Sequence, residues 1–570
     1  MTGIEARAKL ESTQNPMRLH RSAIAILLAV LVVTAMSAQP ARHEPAAPSA
    51  AKLYRIAGTV TNSITGEPVA GASVNLSGDQ PRVLIQTVEA DAEGRFQLHP
   101  VAAGKYSLLA TRRGYMGSAF NQHEQYSSAI VTGEGQDTEH IPFHLDPGAV
   151  IRGLVTDDTG EPVANAKVLL MHSTRDGGLG QHLNKSISGE TDDTGLFEFW
   201  NLRPGTYFLA VKANPWFALH PSAAGRSEAA AEPGVDTTAA LDVAYPVTYY
   251  DSATDEASAA PIQIGVGERV RADMSLHAVP ALRLTFPGSG AAREETDSPD
   301  RRVFLKQTVF GDPDFGDGRI GFPSGPSQPV EFAGIAPGHY TLVQGIPPRI
   351  SGIDANGSQE LDPSAGLPTF PVDVKARMAD QSAPPPGLEI VLVSDDERQQ
   401  EIKTQLDKLE GKIESVPPGR WNVLAQAKDT VLSVVSLQSG AAALSDGRIV
   451  LKDRPVSLSV TISAGKTDIE GFAKKEGKGQ AGVMIVLVPR APSTSLTRYR
   501  RDQSDSDGSF LLKNVAPGNY TAVAIEDGWG LDWARPEVIR TYLAAGTAIT
   551  VSPAAGDHMQ LDTPLQVQPR

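Results

Sequence analysis

The chain has 570 residues, a net charge of -15 and no cysteine. That length exceeds what one hydrophobic core serves and calls for several domains. The acidic balance speaks against nucleic acid, whose phosphates need Lys and Arg patches. The missing thiol excludes disulfides, thiolate metal sites, a cysteine nucleophile and a lipoprotein anchor.

Arg18, His20 and Arg21 precede the apolar run Ala23–Val33, and small residues follow at Ala35, Ser37 and Ala38. Basic, then apolar, then small is the order of a secretory signal. Residues 1–38 are expected to be a signal peptide, cleaved after Ser37 or Ala38, with Met17 as an alternative start. An uncleaved anchor is the competing reading, and membrane attachment would then run through this segment. The Ala- and Pro-rich stretch 39–52 is expected to be a linker.

From residue 53 onward one phrase recurs. Gly94-Arg95-Phe96-Gln97-Leu98 leads to Gly104-Lys105-Tyr106, Gly195-Leu196-Phe197-Glu198-Phe199 to Pro204-Gly205-Thr206-Tyr207, and Gly508-Ser509-Phe510-Leu511-Leu512 to Pro517-Gly518-Asn519-Tyr520. Weaker copies end in Pro337-Gly338-His339-Tyr340 and Pro418-Gly419-Arg420-Trp421. The alternation of apolar and polar residues has the period of a half-buried strand, and Pro-Gly supplies a turn. The phrase therefore predicts a β-hairpin, and its repetition predicts an array of similar units. Upstream, Ile56-Ala57-Gly58-Thr59-Val60 leads to Gly66-Glu67-Pro68-Val69, and Ile151-Arg152-Gly153-Leu154-Val155 to Gly160-Glu161-Pro162-Val163.

This order, continued by Asp-x-x-Gly-x-Phe and Pro-Gly-x-Tyr, resembles the carboxypeptidase regulatory-like domain. The resemblance is good over 53–147, 148–278 and 464–565 and degenerate over 279–387 and 388–463. It implies an all-β chain of tandem Ig-like, prealbumin-like β-sandwich domains after the N-terminal signal segment. Large secreted bacterial proteins, acidobacterial ones among them, carry such domains in tandem. The five units are expected to behave as beads on a string with small shared interfaces. The second carries an excursion over 222–258, in which Tyr245–Tyr250 predicts an edge strand. Ile402, Leu406, Leu409 and Ile413 recur at helical spacing and predict a short helix, although Ile413 also fits the strand of the repeat.

The chemistry-bearing motifs of enzymes do not surface. The His residues form no His-Glu-x-x-His, and His140 and His144 flank a strand-like segment in which Pro142 forbids a helix interior. There is no Gly-x-Ser-x-Gly elbow and no phosphate loop. The acidic runs Asp502, Asp505, Asp507 and Asp192-Asp193 precede Gly and predict turns, with weak calcium binding as the alternative. No catalytic residue, cofactor or metal ligand is assigned. An aromatic follows each of the best repeats by nine positions: Tyr115, Trp216 and Trp529, with Trp533 added in the last unit. Such rings either plug the end of a core or stack on sugars, and Trp533 is expected to be the more exposed. The sequence thus points to a non-catalytic secreted, periplasmic or envelope-associated scaffold or binding protein. The alternatives are a carbohydrate-binding protein using Trp529, Trp533, Trp216 and Tyr115, and an accessory chain of an extracellular peptidase or glycosidase. Expected partners are a polysaccharide or another envelope protein.

Overall fold

The structure is a computed structural model and describes residues 52–570, apart from 79–81, 175–181, 221–239, 288–302, 313–314, 317, 322–328, 346–347, 363, 396–400, 429, 441, 445–446, 491–495 and 553–555. The expected signal segment and linker lie outside the described residues, as does part of the 222–258 excursion. The described residues are all-β, 56% of them in strands and 4% in helices.

One seven-stranded plan recurs five times. In sandwich 1 the strands are Ala57–Asn62, Ser73–Gly78, Leu84–Glu89, Arg95–Gln97, Gly104–Thr111, a sixth split into Ser118–Ala119 and Ile130–Thr132, and Ile141–Leu145. One sheet has the order fourth, first, seventh, and the other third, second, fifth, sixth. Val60, Phe96 and Phe143 from the first sheet meet Val74, Leu76, Leu108 and Ala110 from the second in a closed core. The first and seventh strands run parallel, with Gly58 opposite Ile141 and Asn62 opposite Leu145. The same parallel pair closes the other four sandwiches, whose first strands are Ala149–Asp157, Leu282–Phe286, Phe370–Met378 and Thr467–Lys475. Each sandwich has its own buried apolar cluster. In sandwich 5 the final strand Leu565–Gln568 pairs with both Thr467–Lys475 and Gly518–Ile525, which joins its two sheets along one side.

The repeated phrase is not a hairpin. Its first strand pairs with the first strand of the sandwich, Phe96 opposite Gly58 and Phe197 opposite Gly153. Its second strand lies in the other sheet, beside the second strand. The chain crosses the core between them, so the two apolar faces look at each other across it. The aromatic after the glycine locks the crossing. The hydroxyls of Tyr106, Tyr207, Tyr340 and Tyr520 donate to the carbonyls of Ala102, Arg203, Ala336 and Ala516, each four residues upstream, at 2.8 to 3.0 Å. Trp421 does the same through Nε1 to Pro417. A second regularity follows from the pairing. A β-carbon on Gly153 would sit 2.8 Å from the Phe197 ring and 1.9 Å from the Ala272 carbonyl oxygen, so the phenyl ring occupies the space that the glycine leaves. Two of the Asp turns are built as expected: Asp192 Oδ1 accepts from the Thr194 hydroxyl and the Thr194 and Leu196 amides, which holds its carboxyl below the usual range, and the Gly508 amide donates to the Asp505 carbonyl. Asp502 is not a turn residue; it lies in the strand Arg500–Gln503 and pairs with Ile485.

Three other expectations are corrected. Residues 401–416 form no helix: Glu401–Gln405 and Glu410–Val416 are strands in opposite sheets of sandwich 4. Lys408 and Leu409 turn the chain between them with φ of 49° and 67°. Ile402 reaches the core from the first of these strands, and Leu406 and Leu409 from the turn, which is how strands came to carry a helical spacing. Sandwich 4 begins at Phe370 instead of 388, because Phe370–Met378 pairs with Glu410–Val416 and Val456–Ala464. Nor are the units beads on a string. Leu169, Met171, Val247 and Tyr249 of sandwich 2 share a buried cluster with Val309, Phe310 and Phe315 of sandwich 3. The predicted edge strand is present as Thr248–Tyr249, paired with Gly205–Lys212 at one side of its sheet.

Candidate functional site

Sandwich 1 meets sandwich 5, some 400 residues away along the chain. Two sheet edges make the contact. Sandwich 5 offers its third strand, Arg500–Gln503, which among the described residues pairs with Met484–Pro489 alone, and the turn that follows it. Sandwich 1 offers Ile130–Thr132 and the loop before it. Sheet edges carry unpaired amides that must be covered or satisfied. Here the Ser506 amide donates to the Ala129 carbonyl, the Ala129 amide to Asp505 Oδ1 and the Val131 amide to Ser506 Oγ, at 2.8 to 3.0 Å.

Side chains extend the contact. Gln503 Nε2 donates to the Asn121 carbonyl at 2.6 Å and to Ser128 Oγ at 3.0 Å, and Ser128 Oγ donates to the Ser504 carbonyl at 2.7 Å. Lys105 Nζ lies 2.7 Å from Asp505 Oδ2. At the centre Arg501, whose side chain is 5% exposed, holds Glu124 of sandwich 1 at 2.7 Å. Its guanidinium lies 4.4 Å from the Trp533 ring centre, 5.1 Å from that of Tyr126 and 5.8 Å from that of Trp529. A desolvated guanidinium over aromatic faces is held by the ring quadrupoles as well as by its carboxylate. His123 of sandwich 1 stacks on Trp529 with ring centres 5.0 Å apart and planes 6° from parallel. Burial raises the Tyr126 hydroxyl above its usual range, against the pull of Arg501. Behind the strand, burial pushes the Asp502 carboxyl up to about 7, although the Leu511 amide donates to it at 2.6 Å.

The four aromatics singled out from sequence thus have different fates. Trp533 is buried, in edge contact with Tyr499, which corrects its expected exposure. Trp529 is half-buried, its Nε1 donating to the Gly482 carbonyl at 3.0 Å and one face covered by His123. Tyr115 packs on the core of sandwich 1. Trp216 is 91% exposed and touches Phe217 edge-on. The structure brings Trp529 and Trp533 together around Arg501 and leaves Tyr115 and Trp216 in other sandwiches. Arg501, Glu124, Gln503, Ser128 and Lys105 escaped the sequence reading because each is an ordinary surface residue type in a strand or loop. His144 Nδ1 lies 2.9 Å from Thr61 Oγ1 and His140 Nδ1 lies 3.0 Å from Asp137. Among the described residues, no three His, Asp or Glu side chains gather as a metal site would require.

The seven-stranded plan defines the class: tandem prealbumin-like sandwiches. More narrowly, residues 55–144 and 150–226, which lie in sandwiches 1 and 2, match the carboxypeptidase regulatory-like domain. Among solved structures the chain is similar to the TIE protein of Bacillus anthracis, at 10% identity over 72% of this chain and 75% of that one, with a TM-score of 0.17. It is similar to a streptococcal ancillary pilin, at 10% identity over 51% and 100%, with a TM-score of 0.19. It is also similar to the minor pilin of Streptococcus agalactiae, at 13% identity over 40% and 97%, with a TM-score of 0.20. No curated protein matches the chain.

Proposed function

We propose that the chain is a non-catalytic scaffold of the cell exterior or envelope, presenting its five sandwiches to a partner with sandwich 1 docked on sandwich 5. The observation that carries this reading is the Arg501 contact. There, aromatic and charged groups of the kind that bind ligands elsewhere are used to hold sandwich 1 against sandwich 5. Export rests on the basic, apolar, small order of residues 18–38.

One residue favours the carbohydrate-binding reading. Trp216 holds an aromatic face in solvent, and such a face complements the C–H side of a pyranose. Retention of the purified chain on insoluble cell-wall polysaccharides separates the two. The scaffold reading expects the parent protein to pass through unretained. Retention that disappears in Trp216→Ala, with an unchanged melting temperature, would replace it with the carbohydrate reading.

A further inference from the structure

The contact between sandwiches 1 and 5 differs in kind from the joint between 2 and 3. Among the described residues, no buried apolar cluster draws on both sandwich 1 and sandwich 5. Val60, Phe96 and Phe143 close one core within sandwich 1. Phe510 and Tyr520 close another within sandwich 5, and Trp533, Tyr499 and Ile539 a second cluster of the same sandwich. Between 2 and 3, by contrast, Met171 and Phe310 lie in one shared cluster. Parting sandwich 1 from sandwich 5 leaves every core whole and exposes hydrogen-bonding groups, which water satisfies, together with the ring faces of His123, Tyr126 and Trp529. Contacts of that composition are typical of docking between preformed surfaces.

The two surfaces are also complementary in charge. Sandwich 1 presents Lys105 and Glu124, and sandwich 5 answers with Asp505 and Arg501. A shifted docking would set like charges together, so the pairing specifies one register. Every copy of the chain carries both surfaces, and sandwich 1 of one copy fits sandwich 5 of another by the same atoms.

We propose that this clasp is exchangeable, and that a second copy of this chain is its other partner. Two copies that open and dock reciprocally satisfy both clasps with no new contact, which is the logic of domain swapping. The tether within one chain gives an effective concentration in the millimolar range or below. The closed single chain therefore dominates in dilute solution, and exchange takes over where copies are crowded.

Charge reversal tests this on the full chain. Glu124→Arg alone places two arginines at the centre, and Arg501→Glu alone places two glutamates there, so each variant disfavours its own clasp and pairing with itself. Mixed one to one, the two variants can form a reciprocal pair holding one native and one reversed ion pair. Size-exclusion chromatography with light scattering is expected to show at least a tenfold enrichment of a two-chain species in the mixture over either variant alone. A mixture that stays at single-chain mass, from variants with parental circular dichroism, overturns the proposal. The parent protein gives a reading independent of variant folding. Concentrated chains of natural and heavy isotope are mixed and treated with a carbodiimide, which links Lys105 to Asp505 as an amide with loss of water after activating the carboxylate. Linked peptides of mixed isotope support exchange, and same-isotope pairs alone overturn it.

Discussion

The Tyr207 ring is 2% exposed and its hydroxyl donates to the Arg203 carbonyl at 2.8 Å, with burial pushing that hydroxyl up to about 12. Removing the ring opens a cavity and orphans a carbonyl at the crossing between sheets. Tyr207→Ala and Phe197→Ala are each expected to destabilise sandwich 2 by about 3–5 kcal/mol. Because sandwich 2 shares a buried cluster with sandwich 3, amide exchange should rise in both and least in sandwich 5. Unchanged exchange in sandwich 2 would mean that these rings are not core. Asp502 carries the opposite kind of prediction. Its folded value, about 7, lies above the ordinary 3.8, so folding takes up a proton between them. Above pH 7 the buried charge costs stability. As pH falls through about 7 the folded carboxyl binds its proton, and the cost is gone below the unfolded value. Asp502→Asn should therefore be more stable than the parent at pH 8 by a few kcal/mol, on the order of what such a shift implies. The gap should close toward pH 4 in urea titrations, and two parallel pH curves would sink the assignment. At this scale Tyr207 and Phe197 were legible as core because alternation reports burial. The fate of Trp533 was not, since a ring beside a loop has the same sequence signature whether it faces water or Arg501.

Single elements show where alternation stops informing. It states that one face of a strand is buried, and it is silent on which sheet the strand joins. The strands flanking Pro204-Gly205 therefore looked like a hairpin, whereas they pair with Ala149–Asp157 and Lys167–Thr174 in different sheets. The glycine of Ile-x-Gly-x-Val and the phenylalanine of Gly-x-Phe carried the missing information, because they are cross-strand neighbours at Gly153 and Phe197. Met484–Pro489 breaks alternation altogether and is buried on both faces. One face meets the core of sandwich 5, and the other meets Trp533, Ala534 and the helix Pro536–Leu543 through Ile539. Leu169 and Met171 break it likewise where sandwich 3 docks. A run of consecutive apolar residues in the second strand thus marks a covered outer face. The Arg501 contact leaves no such trace, because polar side chains on a sheet edge look the same docked or free.

Among the described residues the molecule has five sandwich cores, a second apolar cluster on sandwich 5, a shared apolar joint and a polar clasp, and the tandem order of the cores was its most legible property. In every sandwich the first and seventh strands lie side by side and parallel. The chain therefore enters such a pair at one end and leaves it at the other. Tension applied to the termini slides these strands along each other and strains their hydrogen bonds simultaneously, where an antiparallel hairpin would unzip bond by bond. Resistance should scale with the length of the parallel ladder. In sandwich 4 it runs from Val372 opposite Val456 to Met378 opposite Ile462, whereas in sandwich 3 it spans only Leu284 and Thr285. Single-molecule pulling should first release the clasp as a length step without core rupture. Sandwich 3 should then break at the lowest force and sandwich 4 at the highest, an ordering set by barriers to unfolding and not by equilibrium stability. The reverse order would show that something other than this ladder bears the load. A protein assembled in this way is graded along its length: it gives at one known place under modest load while its stiffest segment holds.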